Sequence, residues 1–327
     1  MKVQDYISRY QIDLARYPTQ FVRLKKGQWE RVKHQWETGE DFNSYQEWEH
    51  IEAEETEQAE KQRLSFFKKF FSLKKEEPIE NTVEEITELN DEDTIPEEET
   101  TLFFEPNIVY NPQSIEELKR MFMDQFFHFQ IKWASSTLRE KSYVDPKYMR
   151  DTLLRTLLQK LPDNYLIFYY PILRLKKAPI ELDIIIMTPV ECLCIAVLEE
   201  EDQAVYVGSS ERFWVKKVGK NEKKTLNPLI RLNRMETLVR QLFEQDEIEM
   251  PIRKVLLSRN GFIDYPGSVY GVQIVDKRKY SDWLQQIKRT ASPMKHMQIR
   301  AAQSILKNAQ TTSFNRDIWN VETKEES

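Results

Sequence analysis

The sequence is poor in the residues that build several common kinds of functional site. Its 327 residues include two cysteines, four histidines and seven glycines. Cys192 and Cys194 are two residues apart, which strains a disulfide within one strand, and no histidine follows closely to complete a zinc site. The histidines are not arranged as in a catalytic triad, and no glycine-rich phosphate loop occurs. We therefore predict two reduced thiols on a buried strand.

Long apolar runs are absent as well. The chain has no run of about 18 apolar residues, the length that a membrane-spanning helix requires, and its N-terminus has no apolar segment of signal-peptide length. From these features we expect a cytoplasmic protein. Aromatic residues nevertheless make up 12% of the chain, which is enough to build a hydrophobic core.

Positive charge is missing from one segment. Residues 76–100 contain twelve Asp and Glu and no Lys or Arg, with few apolar residues, so we predict an acidic disordered linker over residues 76–105. An alternative is that this run folds over a basic groove as a mimic of nucleic acid. The rest of the chain has 48 Lys and Arg against 42 Asp and Glu, a mildly basic balance.

Residues 1–75 have the apolar spacing of a small helical region. It ends in a basic amphipathic segment at 61–75, in which phenylalanines alternate with lysines. Such a segment can enter a groove on a partner protein, rest reversibly on the inner face of the membrane, or pack against the preceding helices. In the second case the protein would be a membrane-surface adaptor. The residues that would make a membrane or partner contact are Phe66, Phe67, Lys68, Lys69, Phe70 and Phe71.

Residues 106–310 read as the main domain, followed by a polar tail at 311–327. Apolar periodicity and capping residues predict helices at 114–133, 145–161, 228–244, 280–287 and 291–309. Runs rich in β-branched and aromatic residues predict strands at 165–173, 179–187, 191–199, 204–207, 213–218, 252–257 and 269–275. Residues 219–224 are predicted to form a loop.

The most apolar part of the chain is the pair of runs 179–187 and 191–199, which we predict to be neighbouring strands. Asp183 lies inside the first run, although a buried carboxylate is costly without a partner. Lys176, Lys177 or a backbone amide are the partners that the sequence suggests for it.

This arrangement resembles the nuclease-related (NERD) domain, a branch of the PD-(D/E)xK nuclease-like superfamily. In that family one strand carries Ile-Asp and the next reads Ile-Glu-Val-Lys; here the matching positions are Leu182-Asp183 and the run from Ile195 to Leu198. Asn227-Pro228 and Arg231 resemble the family's Asn-Pro-x-x-Gln motif, with Arg in the Gln position. The resemblance spans about 145–290 and implies an α/β (α+β) fold with a restriction-endonuclease-like core, a mixed central sheet flanked by helices.

The resemblance also implies metal-dependent cleavage of nucleic acid, for which the family uses carboxylates on two adjacent strands and a Lys two residues beyond the second. Here Ala196 and Leu198 stand in the places of that Glu and Lys, and Asp183 alone remains. The Gly-Glu of the family's first helix is missing between 134 and 165. We therefore predict an inactive nuclease-like domain that serves as a binding or regulatory module and needs no cofactor.

One alternative is a nuclease with rearranged ligands, in which Asp183 binds Mg²⁺ or Mn²⁺ together with Glu181 or Glu191, Glu200, and Lys216 or Lys217. Weak nucleic-acid binding or a protein partner is predicted in either case, and no small-molecule substrate is evident. A basic rim would make the nucleic-acid contact: Lys176, Lys177, Lys216, Lys217, Lys220, Lys223, Lys224, Arg231 and Arg234.

Overall fold

The structure is a computed structural model. It describes residues 21–39, 104–108, 110–135, 140–175, 178–199, 201–267, 270–289, 292–310 and 314–315. The predictions for the segment 61–75 and for the acidic run 76–100 fall outside these residues, as do those for Lys176, Lys177 and Glu200.

Seven helices and thirteen strands occur in the described residues. The helices are α1 (Arg23–Thr38), α2 (Ile115–Ala134), α3 (Lys147–Arg150), α4 (Thr152–Lys160), α5 (Pro228–Gln245), α6 (Tyr280–Arg289) and α7 (His296–Asn308). The strands are β1 (Glu140–Lys141), β2 (Leu166–Tyr169), β3 (Ile172–Leu175), β4 (Ala178–Glu181), β5 (Ile184–Met187), β6 (Cys192–Val197), β7 (Val205–Val207), β8 (Phe213–Val218), β9 (Asn221–Leu226), β10 (Ile252–Leu257), β11 (Phe262–Asp264), β12 (Val272–Val275) and β13 (Phe314–Asn315).

The central sheet has five strands in the order β12-β10-β6-β5-β2. β10 runs parallel to both β12 and β6, whereas β5 is antiparallel to β6 and to β2. All four residues of β5 and the first five of β6 are buried, as expected for apolar strands covered on both faces. The mixed sheet flanked by helices confirms the predicted fold class.

Helix α5 packs against β6 and β10, and α7 packs against α5. The start of α5 follows from local chemistry. Asn227 accepts a hydrogen bond from the backbone N–H of Leu229 at 3.0 Å, and Pro228 occupies the first helical position. The buried side of α5 includes Leu232, Met235 and Val239, spaced three and four residues apart. The helix is therefore fixed at its N-terminus and along its inner face.

A second sheet contains four strands in the order β11-β7-β8-β9. β11 is parallel to β7, and the remaining pairs are antiparallel. Two smaller pairings complete the described strands: the hairpin of β3 with β4, and the pair of β1 with β13.

Four predicted segments differ from the structure by more than a shift at one end. The run 165–173 is two strands, because Tyr170 has a φ of 53° and Pro171 follows it. The run 179–187 breaks at Leu182-Asp183, so Asp183 lies between β4 and β5 rather than inside a strand. The helix 145–161 breaks at Asp151, whose side chain caps α4, and the predicted loop 219–224 belongs largely to β9.

The chain divides into two compact units, residues 28–122 and the remainder. In the smaller unit Trp29 and Phe104 pack on Phe122, with ring centroids 5.4 and 5.8 Å from it. The indole N–H of Trp36 also donates to the carbonyl oxygen of Pro112 at 2.9 Å. The larger unit contains both sheets and every residue of the candidate site described below.

Candidate functional site

The register of the central strands brings the two predicted catalytic positions together. β5 pairs with β6 so that Ile184 lies opposite Ile195, and one further step along this register places Asp183 opposite Ala196. Residues directly opposite each other on antiparallel strands project to the same face. The strand frame therefore matches the arrangement that the resemblance implies, with an aliphatic side chain in place of the second carboxylate.

Asp183 is paired with an arginine from another element. Nε of Arg231, in the first turn of α5, lies 3.2 Å from Oδ2 of Asp183. The same guanidinium also donates a hydrogen bond to the backbone carbonyl oxygen of Val197, the last residue of β6. The predicted partners of Asp183, Lys176 and Lys177, lie outside the described residues, so the partner that the structure identifies is Arg231.

The two side chains of this pair differ in their exposure to solvent. The Asp183 side chain is 13% exposed, whereas that of Arg231 is 44% exposed. Burial raises the pKa of the Asp183 carboxyl above its ordinary value, and the opposing influence of Arg231 is smaller than this effect. The carboxylate is therefore held in a site that does not favour its charge, and the guanidinium partly compensates.

The cap of α5 positions the arginine. Asn227 is buried, and its side-chain amide donates to the carbonyl oxygen of Glu211 at 2.8 Å while its oxygen caps the helix. Because both the nitrogen and the oxygen of the Asn227 side-chain amide form hydrogen bonds, the first turn of α5 is anchored to the segment that precedes β8. Asn227 and Pro228 thus act as positioning residues for Arg231.

The remaining predicted catalytic positions are apolar and buried. Ala196 is fully buried and Leu198 is 5% exposed, and the Leu198 backbone N–H donates to Leu257 on the neighbouring strand at 2.8 Å. Neither side chain offers an atom that could bind a cation or activate water. Both positions are filled with buried hydrocarbon.

A second arginine–carboxylate pair follows the ends of β6 and β10. Nε of Arg259 donates to both carboxylate oxygens of Glu199, at 2.8 and 3.0 Å, and the Arg259 backbone N–H donates to Oε1 at 2.9 Å. The two side chains are 18% and 12% exposed. Sequence reasoning missed this pair, because the partners are sixty residues apart and only the parallel pairing of β6 and β10 brings them together.

Comparison with known families agrees with this geometry. Residues 149–258 match the nuclease-related domain (NERD) family. The matched segment is about a third of the chain and contains Asp183, Ala196, Leu198 and Arg231. The resemblance predicted from the sequence is confirmed for this segment.

Two further comparisons cover little or none of the chain. An RNA 2',3'-cyclic phosphodiesterase of Geobacillus stearothermophilus is 49% identical over 41 residues, which are 12% of this chain and 13% of that protein. The chain therefore matches about an eighth of the length of this relative. No solved structure matches the chain.

The described residues at the family's motif positions offer a divalent cation one carboxylate. Mg²⁺ and Mn²⁺ prefer several oxygen ligands, and here one carboxylate, that of Asp183, is already paired with a guanidinium. Among the described residues no group of three or more His, Cys, Asp and Glu side chains converges as a metal site. Glu191, which the rearranged alternative would use, is paired instead with Arg253 at 2.9 Å.

The predicted basic rim is only partly on the surface. Lys216 is 3% exposed and its ammonium lies 2.9 Å from Glu201, so the prediction that it contributes to an exposed rim is wrong. Its position on β8 has the same parity as that of Trp214, which places both side chains in the interior. The exposed members are Lys217, Lys220, Lys223, Lys224, Arg231 and Arg234.

The structure contains a cavity of about 370 Å³ whose lining includes Glu181, a residue that the rearranged-ligand alternative would use. Its lining residues are Lys147, Tyr148, Asp151, Tyr170 and Glu181. Tyr170 holds a left-handed backbone conformation, which is strained for a residue with a side chain, and its backbone N–H donates to the Asp183 carbonyl oxygen at 3.0 Å. Burial, with the nearby Asp183 carboxylate, raises the pKa of the Tyr170 hydroxyl to about 12.

Asp151 forms another part of this lining. Its Oδ1 accepts the backbone N–H groups of Leu153 and Leu154, and its Oδ2 accepts the hydroxyl of Tyr169 at 2.7 Å. All of these contacts serve the start of α4 and the end of β2.

Among the helices that the structure describes, none combines the length and the apolar character needed to span a membrane.

Proposed function

We propose that this protein is a catalytically inactive nuclease-like domain that serves as a binding or regulatory module, with nucleic acid as its ligand. The observation that carries the proposal is the position of Arg231. Its guanidinium contacts the only remaining catalytic carboxylate, Asp183, and the carbonyl oxygen of Val197 at the end of the adjacent strand. The positive charge of Arg231 thus contacts both of the segments from which the family would bind a metal ion.

The neighbouring side chains support the same reading. Cleavage of a phosphodiester requires a second metal ligand and a group that activates water, whereas Ala196 and Leu198 fill those places with buried hydrocarbon. Fold alone would not support inactivity, since one fold can carry many functions. The proposed inactivity is supported instead by the atoms present at the site.

The rearranged-ligand alternative meets competing contacts at three of the residues that it would use. Asp183 is engaged by Arg231, Glu191 by Arg253, and Lys216 by Glu201. Recruiting them to a metal ion would require three ion pairs to break and two buried groups to move. A nucleic-acid ligand is suggested by the match to the nuclease-related family and by the exposed lysines of the β8–β9 hairpin.

A cleavage assay tests the proposal. Supercoiled DNA, single-stranded DNA and RNA are incubated with Mg²⁺ or Mn²⁺ and with the wild type, with Asp183→Ala, or with the control Asp202→Asn, which changes an exposed carboxylate. We expect no cleavage by the wild type above that seen with Asp183→Ala. Cleavage that is lost in Asp183→Ala and retained in Asp202→Asn would refute inactivity and support a rearranged metal site.

A further inference from the structure

The second sheet has one buried and one exposed face. Along β7, β8 and β11 burial alternates from residue to residue, so that Tyr206, Trp214 and Ile263 point to the interior. The residues between them point outward, and the register carries this assignment to β9, where Leu226 lies opposite Phe213. We call this exposed side the outward sheet face. Its apolar members are Val205, Val207, Phe213, Val215, Leu226 and Phe262.

An apolar outward face is unusual for such a sheet. Antiparallel strands with one solvated side normally present polar residues there, because exposed apolar side chains add nothing to the core. Phe213 and Leu226 form a directly opposed pair and are 48% and 49% exposed. A contiguous exposed apolar surface of this kind is characteristic of a binding site.

The same face is rich in positive charge. The guanidinium of Arg212 lies 5.6 Å from the ring centroid of Phe213, and that of Arg278 lies 5.7 Å from the ring of Phe262. On this face the hairpin of β8 and β9 presents Lys217 and Lys224, and Lys220 is exposed in the turn between the two strands. Lys217 is paired with Glu222 at 2.7 Å, Asp264 of β11 lies on the same face, and the register places Lys223 on the opposite face.

The combination identifies the class of ligand. Protein interfaces are depleted in lysine, whereas surfaces that bind single-stranded nucleic acid combine aromatic rings, on which bases stack, with Lys and Arg that neutralise phosphates. The register places Phe262 level with Lys217, four residues along β8 from Phe213. At about 3.3 Å per residue and about 4.8 Å per strand, the two rings are roughly 16 Å apart, so one strand of several nucleotides can cross both.

We propose that the outward sheet face binds single-stranded nucleic acid, with bases stacked on Phe213 and Phe262 and phosphates beside Arg212 and Lys224. This inference rests on the proposed function, and it names the surface and the form of nucleic acid recognised. Duplex bases are stacked on one another and cannot reach the rings, so we expect a preference for single strands.

Fluorescence anisotropy with the full chain tests the proposal. The probes are fluorescein-labelled twelve-nucleotide oligo(U), oligo(dT) and a duplex of the same length, at two salt concentrations without divalent cation. We expect the single strands to bind more tightly than the duplex. Phe213→Ala should weaken single-strand binding by at least about fivefold, because loss of one base–aromatic stack has an effect of that order.

Two variants of the same position separate stacking from simple apolar contact. Phe213→Tyr keeps the ring and should bind like the wild type, whereas Phe213→Leu keeps apolar volume without a ring and should bind like Phe213→Ala. Changing Arg212 and Lys224 together to Gln should flatten the plot of log affinity against log salt by about 0.7 for each phosphate that is no longer neutralised. Tyr143→Ala, which removes a highly exposed ring outside this sheet, is the matched control and should change nothing.

Each remaining outcome has a defined meaning. Equal or tighter binding of the duplex, or restoration of binding by Phe213→Leu, would overturn the stacking proposal; the second result would indicate a protein partner for this face. Absence of binding by the wild type would also overturn it, while leaving inactivity to be judged by the cleavage assay. Thermal unfolding of each variant, followed by circular dichroism, checks that weaker binding does not come from failure to fold.

Discussion

Removal of the Arg231 guanidinium should destabilise the protein in a pH-dependent way. The change is Arg231→Gln, which installs the residue that the family motif carries at this position. Because Arg231 is 44% exposed and Asp183 is 13% exposed, the loss should lie between that of an exposed ion pair, about 0.2–1 kcal/mol, and that of a hydrogen bond to a charged group, about 1.5–3 kcal/mol. We expect a decrease in the free energy of unfolding of about 1–2 kcal/mol at pH 7.

The sign of the pH dependence follows from the pKa of Asp183. Burial raises this pKa in the folded protein, and Arg231 is the one cause that lowers it, so Arg231→Gln should raise it further. A carboxyl whose folded pKa is raised costs stability above that pKa, and the cost disappears as pH falls and the native state takes up a proton. The decrease in the free energy of unfolding that Arg231→Gln causes should therefore be smaller at pH 4.5 than at pH 7.

Urea unfolding, followed by tryptophan fluorescence and by circular dichroism with coincident transitions, measures these changes. Asp183→Asn should be as stable as the wild type or more stable at pH 7, because it removes a buried charge. The double variant then gives a coupling energy of about 1–2 kcal/mol. Arg240→Gln is the control on the same helix, where the exposed pair with Glu236 should contribute about 0.3–0.5 kcal/mol. A coupling energy below about 0.3 kcal/mol, or a deficit that does not change with pH, would refute this reasoning.

Two further changes test the surroundings of the site. Glu199→Gln should lower the free energy of unfolding by about 2–4 kcal/mol, because it leaves the mostly buried Arg259 without its anionic partner; a loss below about 1 kcal/mol in urea unfolding would contradict this. Asp151→Ala should cost about 1–2 kcal/mol, because it removes the cap of α4 and the acceptor of the Tyr169 hydroxyl, whereas Asp151→Asn should retain most of the capping; equal stability of the two variants would contradict the assigned role.

The sequence predicted the elements whose signals are local. The β10 strand, at Ile252–Leu257, has its predicted bounds, because its β-branched and apolar residues lie between Pro251 and Ser258. The start of α5 followed from Asn227 and Pro228, whose capping chemistry does not depend on the rest of the fold. Asp183 was identified because a carboxylate in an apolar run is exceptional.

Other features depend on contacts between distant residues. β9 reads as a loop because five of its six residues are polar, and its strand geometry comes from pairing with β8. The interior position of Lys216 is predictable from its parity with Trp214 once β8 is recognised, but its partner Glu201 is not. Nothing in the sequence indicates the strained backbone of Tyr170, since a residue before proline normally adopts an extended conformation.

The residues at the positions that are catalytic in the family make physical sense as a set. Removing the second carboxylate and the lysine alone would leave Asp183 mostly buried without a metal ion to balance it, and an unpaired buried carboxylate is costly. Arg231 supplies a partner from within the chain, one that needs no ion from solution and also engages the Val197 carbonyl oxygen. Conversely, a guanidinium held between two strands by these contacts would oppose binding of a divalent cation at the same place. The proposed inactivity therefore depends on Ala196, Leu198 and Arg231 together, and restoring only one of the three family residues should not restore cleavage.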